Sequence, residues 1–242
     1  MSAPPPPAPE PTAGGLSDLS DDALGFGALE LVSARDVVLR PRAELEAWMT
    51  QGPTGGGRYA RPLRLYLALN AILMLVLFLK GGTAPMLGGL PPEFLDPLIA
   101  ASGKSRDAFL GDADNWMSLT LVPLLSVFYA LASVPLMRWW DPERLGWRRG
   151  FRAAFAYLNA LTVPLLPFAW WMYEPGLGQL IGAVVLFFIA IVAFMRMGAG
   201  RWYSSPVFGL AKAFSLWLAI QLVGAIGYLP LFAIGLLAGR FA

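Results

Sequence analysis

Residues 179–195 read QLIGAVVLFFIAIVAFM, a run with no charged side chain and one polar one, Gln179. As a helix rising about 1.5 Å per residue, such a run is apolar on every face. With its flanks it covers the roughly 30 Å of hydrocarbon in a bilayer. A helix packed on a soluble core keeps a charged face, so this stretch points to lipid as its solvent. Working outward, four more runs have the same character: Pro62–Leu79, Trp116–Met137, Phe151–Met172 and Ala211–Ala238. Each stays apolar for longer than the short alternating strands of a membrane barrel. The expectation is an all-α integral membrane protein, a bundle of about five transmembrane helices.

The composition of the whole chain agrees. Of 242 residues, 57% are hydrophobic and 14% charged, and the mean hydropathy is +0.58. Soluble domains carry about a quarter charged residues, so this chain has too few to coat a surface wetted on all sides. It contains no Cys and no His. That excludes disulfides, thiolate and imidazole chemistry, and the common zinc and haem sites. The opening MSAPPPPAPEPTAGG has neither a basic nor an apolar leader region, so the first span is expected to act as the insertion signal.

Three parts follow along the chain. Residues 1–17 include the run Pro4 to Pro7, which favours polyproline II and cannot build a core, so a disordered Pro-rich tail is expected. Residues 18–57 read as a cytoplasmic amphipathic segment and a Gly hinge. Leu29, Leu31, Val37, Leu39, Leu45 and Trp48 alternate there with acids and arginines, and Pro41 is placed to start a helix. One or two short helices on the membrane surface are expected, with the run Gly52 to Gly57 ending them. Residues 58–242 form the five-helix transmembrane domain with an outer loop at 80–115. In that loop Phe94, Leu95, Leu98 and Ile99 recur at helical spacing and predict a short helix near Glu93–Ala101.

Orientation follows from the basic residues beside the spans. Arg58, Arg61 and Arg64 precede the first span; Arg138, Arg144, Arg148, Arg149 and Arg152 lie between the second and third. Arg196, Arg201 and Lys212 lie between the fourth and fifth. The opposite side has Lys80, Lys104, Arg106 and Arg240, diluted by acids such as Asp96 and Asp107. The N-terminus is therefore expected in the cytoplasm and the C-terminus outside. Trp139, Trp140, Trp147 and Trp202 near one set of ends, and Trp116, Trp170 and Trp171 near the other, read as interfacial anchors.

Candidate chemistry is sparse. No charge lies deep within a span, which argues against a pump built on buried carboxylates. Asn70, Asn159 and Gln221 sit inside spans. They either hydrogen-bond between helices or converge on a polar cavity. The pairs Gly178/Gly182 and Gly235/Gly239 suit close helix packing within the bundle. The basic loop WWDPERLGWRRGFR (Trp139–Arg152) serves orientation, and its Arg144, Arg148, Arg149 and Arg152 are candidates for contact with anionic lipids. That basic surface is too small for nucleic acid. On the outer loop, Asp112, Asp114 and Asn115 lack the ligand count of a calcium loop; Asp114 or Asn115 reads instead as the N-cap of the second span. No nucleophile stands with a base, so neither an enzyme nor a cofactor is expected.

The stretch LRPRAELEAWMTQGPTGGGRYARPLRLYLALNAILMLV (Leu39–Val76) resembles an uncharacterised bacterial family of five-span membrane proteins. Arg40, Pro41, Gly57, Arg58, Tyr59 and Pro62 match its Arg-Pro pair, its Gly-basic linker and the Arg-Tyr-x-x-Pro that opens span one. RMGAGRWYSSPVFGLAKAFSLWLAI (Arg196–Ile220) is similar to its link between spans four and five. Relatives often carry an N-terminal zinc ribbon; this chain, without Cys or His, has the Pro-rich tail instead. A more distant resemblance is to Yip-type proteins, which have five spans, a cytoplasmic N-terminus and roles in membrane organisation. The resemblance implies a multi-pass protein of the bacterial inner (cytoplasmic) membrane and supplies no substrate or catalytic residue. The functional expectation is a non-enzymatic accessory subunit of a membrane complex or a membrane-organising factor, with the lipid bilayer and a membrane protein as partners. The alternative is a small transporter or lipid-handling protein.

Overall fold

A computed structural model describes residues 27–50, 57–173 and 176–242. The Pro-rich tail, residues 18–26 and the stretch 51–56 of the Gly hinge lie outside the described residues. Two short helices come first, α1 (Ala28–Leu39) and α2 (Pro41–Thr50), followed by α3 (Pro62–Leu79). Then come α4 (Ala84–Gly88), α5 (Pro92–Ser102) and the long α6 (Arg106–Trp140). Helix α7 (Trp147–Leu165) runs through a 3-10 turn at Leu166–Phe168 into α8 (Ala169–Met172), and α9 (Leu177–Gly198) and α10 (Pro206–Phe241) complete the chain. Among the described residues, five helical stretches are long and apolar enough to cross a membrane: α3, α6, the continuous Trp147–Met172, α9 and α10.

Helices α6 and α10 form the spine. They have 35 and 36 residues, about 52 and 54 Å at the usual rise. They run antiparallel, because glycines along α10 meet α6 side chains in reverse order. Tyr129 lies over Gly224, Phe128 and Leu125 over Gly227, Met117 over Gly235 and Phe109 over Gly239. A methyl group at any of these glycines would sit 2.5–2.9 Å from its nearest neighbour on α6. Gly235 and Gly239, one of the spacings noted in the sequence, are therefore used inside the chain. Gly182 of the other spacing is covered by Met172.

The spine helices extend beyond the apolar runs that announced them. Helix α6 starts ten residues before Trp116, because Ser105 accepts from the Ala108 N–H at 3.3 Å and Asp107 sits in the first turn, where a negative charge is favourable. This corrects the reading of Asp114 or Asn115 as the N-cap of that span. Asp114 lies two turns inside α6, and its carboxylate caps α4 from the side. It accepts from the Thr83 hydroxyl at 2.6 Å, the Ala84 N–H at 3.1 Å and the Thr83 N–H. Helix α5, where the spacing predicted a short helix, buries Leu95 and Ile99 against Phe109 and forms a small crown core at that end.

At the other end, the basic end, the loops are locked together by one buried carboxylate. Asp141, 2% exposed, accepts from Arg201 Nε at 2.5 Å and Arg201 Nη2 at 3.1 Å. It also takes the Trp202 indole N–H at 3.2 Å and the Glu143 N–H at 3.0 Å. The loop after α6 is thus tied to the loop after α9. Trp202 is buried against Gly198 and Phe194, so it is a core residue and not an anchor at a lipid interface. Its N–H has a carboxylate partner that burial makes more valuable than headgroup water.

Helices α1 and α2 also pack on this end, and α1 does so with its polar face inward. Glu30, Ser33 and Asp36 are buried at three-residue spacing while Leu29, Leu31 and Leu39 are exposed. The buried groups hold the connection into α3. Glu30 pairs with Arg64 at 2.7 Å, Ser33 accepts from the Ala60 N–H at 2.9 Å, and Asp36 accepts from the Tyr59 hydroxyl at 3.1 Å. From α2, the buried Trp48 donates its indole N–H to the Ala60 carbonyl at 2.8 Å. Residues 59–64, beyond the Gly run, are therefore pinned from two sides.

Replacing Gly227 by Val should drive a side chain into Phe128, a misfit of about 1–3 kcal/mol. Thermal unfolding in detergent should show a melting temperature lowered by several degrees. Ile226→Val, on the exposed side of the same turn, should leave it unchanged.

Candidate functional site

Between α3, α6, α7, α9 and α10 the bundle leaves a cavity of about 200 Å³. A dry apolar cavity of about 150 Å³ holds a benzene molecule, so this one suits a substituted ring or a short length of lipid chain. The spine supplies Leu125, Tyr129, Trp217, Gln221 and Tyr228; α3 supplies Tyr66 and Asn70; α7 supplies Tyr157, Leu161 and Thr162. Met86, Met172 and Tyr173 close it toward the crown. Among the described residues, no charged side chain lines it.

Five of the seven tyrosines in the chain reach this one space. Several polar groups in its wall are directed elsewhere. Asn70 donates its amide to the Tyr66 carbonyl at 2.8 Å, Thr162 its hydroxyl to the Leu158 carbonyl at 2.8 Å, and Tyr157 its hydroxyl to the Ala190 carbonyl at 3.3 Å. The Trp217 indole nitrogen is different: it is buried and has no hydrogen-bond partner among the described residues. An orphaned donor in an apolar wall costs about 1–3 kcal/mol. A ligand carbonyl or ether oxygen would relieve that cost.

Compared with family models, curated proteins and solved structures, the chain matches none of them. The site is therefore read from its own geometry.

The three polar residues singled out in the sequence divide. Asn70 and Gln221 line the cavity. Asn159 does not: it is fully buried in α7 and donates its amide to the Pro62 carbonyl at 2.8 Å, tying α7 to the start of α3. The four arginines of the basic loop divide as well. Arg152 donates to the Trp48 carbonyl at 3.1 Å and so caps the end of α2, and Arg149 pairs with Glu143 at 3.2 Å. Arg144 and Arg148 are exposed. Sequence reading did not collect the five tyrosines into one site. Tyrosine in lipid-facing positions collects at the interface, so tyrosines placed within spans indicate an internal polar space.

A second group at the basic end has unusual electrostatics. Glu44 of α2 is fully buried, and neither carboxylate oxygen has a hydrogen-bond partner among the described residues. Burial, helped by the negative charge of Asp36, pushes its carboxyl up to about 9, so it is neutral at pH 7. Asp36 moves the other way. Its hydrogen bond to Arg35, against a burial penalty and aided by Tyr59 and Arg58, holds its carboxyl below the usual range.

These shifts act in separate pH windows. Glu44 holds its proton more tightly in the folded state, so its contribution favours folding at low pH and is lost as pH rises from the ordinary carboxylate value through about 9. The contribution of Asp36 is present above its ordinary value and is lost in acid. The melting temperature of the wild type should therefore fall between about pH 5 and 9, and Glu44→Leu should flatten that slope. A Glu44→Leu profile parallel to the wild type would show that Glu44 is ionised when folded.

Proposed function

We propose that the five long helices cross a bilayer and that the protein binds, without catalytic chemistry, an uncharged amphipathic molecule in the cavity between them. The observation that carries this reading is the cavity itself, ring-sized, with no charged side chain among its described lining residues and with a Trp217 N–H that none of them accepts. A flat ring bearing oxygen acceptors, such as a quinone or phenolic lipid head, fits aromatic walls and that donor. This favours small-molecule or lipid handling over the accessory-subunit reading. The amphipathic segment ahead of the first span turns its buried residues onto its own bundle, as Trp48 and Asp36 do.

The basic end, with Arg144, Arg148 and Arg201, is assigned to the cytoplasm on the excess of basic residues there. Five crossings then place the C-terminus on the opposite face. The setting we propose is the inner membrane of a bacterium, on the resemblance carried by Leu39–Val76.

The test is purification in nanodiscs drawn from native membranes, with mass spectrometry of retained small molecules. The wild type should retain an uncharged, ring-bearing compound, and Leu161→Trp, which fills the cavity, should lose it while keeping its melting temperature. A stoichiometric protein partner with no enriched small molecule would overturn this reading in favour of an accessory subunit.

A further inference from the structure

A second hollow lies at the basic end, on the outer side of the bundle. It is a groove of about 310 Å³ between the α1–α2 corner and the faces of α7 and α9. Its floor is formed by small or ring side chains, Ala160, Pro164 and Ala193, and its flanks by Val38, Phe188 and Val192. Phe188 and Val192 are themselves exposed, so the groove opens sideways onto the apolar surface of the bundle. From Arg196 back to Phe188 it follows α9 for about 12 Å.

The charge sits at one end only. Arg196 is the sole charged residue among the described residues of the lining. It donates to the Val38 and Leu39 carbonyls at 2.7 and 3.1 Å, so it closes the last turn of α1 and forms the groove mouth. Arg40 is exposed between Leu39 and Pro41, and Arg42 donates to the Ala199 carbonyl three residues beyond Arg196. One carboxylate is bonded within this group, Glu46, which accepts from Arg42 at 2.6 Å. An apolar trough with a positive mouth matches a molecule with an apolar tail and an anionic head.

We infer that this groove is a binding site for one anionic phospholipid, its acyl chain along α9 and its phosphate at Arg40, Arg42 and Arg196. The site is distinct from the central cavity, and from the arginines of the 139–152 loop. It rests on the reading that the five helices cross a bilayer. The exposed Leu39 on α1 lies beside the mouth and faces outward, as a helix half-sunk in the headgroup layer requires.

Two kinds of variant separate head from tail. Val192→Trp fills the trough at an exposed position without altering charge. Arg40→Gln removes charge at the mouth without touching the α1 cap, and Arg196→Gln removes both. The full chain is placed in nanodiscs of phosphatidylcholine with a minor fraction of phosphatidylglycerol, then released and weighed with its retained lipid. The wild type should retain phosphatidylglycerol in preference. Each lost arginine should weaken retention about fivefold, the equivalent of about 1 kcal/mol per basic residue at a headgroup surface. Val192→Trp should abolish retention at an unchanged melting temperature. Equal retention of the two lipids by the wild type overturns the proposal, as does a preference that survives both Val192→Trp and Arg196→Gln. A photo-crosslinker at position 192 that captures a protein segment in native membranes, and no lipid, overturns it in favour of helix docking. Release of the protein from membranes by alkaline carbonate would overturn the membrane reading itself, whereas an embedded protein with no headgroup preference overturns only the groove.

Discussion

The close approach of α6 and α10 is the constraint on which the other packing depends. Lipid tails are as apolar as leucine, so burying leucines between helices in a bilayer gains little, and contact must come from shape. Glycines at 224, 227, 235 and 239 on α10 supply that shape by letting Tyr129, Phe128, Met117 and Phe109 of α6 settle against bare backbone. The spine then presents Leu125, Tyr129, Trp217 and Tyr228 on one side, and α3, α7 and α9 complete the cavity around them. Had the spine been held apart by larger side chains, the tyrosines would not share one space.

The basic end solves a different problem, how to bury carboxylates. Asp141 and Glu30 are each paired with an arginine, Arg201 and Arg64. Asp36 has Arg35 and the Tyr59 hydroxyl. Glu44, a few residues away in sequence, has no partner and keeps its proton instead. Removing a partner from a buried pair costs far more than the pair contributes. The three paired acids therefore fix where the loops and the α3 connection must lie, while Glu44 makes the seat of α2 sensitive to pH.

How much of this was legible in the chain depends on range. Runs such as Gln179–Met195 announce their helices because nothing but length and apolarity is needed. The start of α6 was not legible, because hydropathy marks where a helix meets lipid and not where it stops: Arg106–Asn115 carries four charged residues and is still helical. The inward polar face of α1 could not be read locally either, since Glu30 and Asp36 are buried only by virtue of Arg64, Arg58 and Tyr59 more than twenty residues later. The candidate site was half legible. Asn70 and Gln221 line the cavity and Asn159 does not, because a helix apolar all round carries no pattern that says which way a given residue points. The five tyrosines come from four separate helices and the stretch before α9, so no spacing rule collects them.

The crown gives the chain a second kind of cohesion. Leu95, Ile99 and Phe109 close over one another with Leu236 above the apolar length of the spine, flanked by the pairs Arg106–Asp96 at 2.9 Å and Lys104–Asp112 at 2.7 Å. On the reading proposed above, with the bundle in lipid, apolar surface meets water on opening at this crown and at the basic end, where Leu45, Trp48 and Met49 are buried. Exposure of that kind raises the heat capacity, whereas helices parting within a bilayer exchange one apolar neighbour for another. On that reading the curvature of the stability curve with temperature belongs to the two ends, and cold loosens them before it touches the spine.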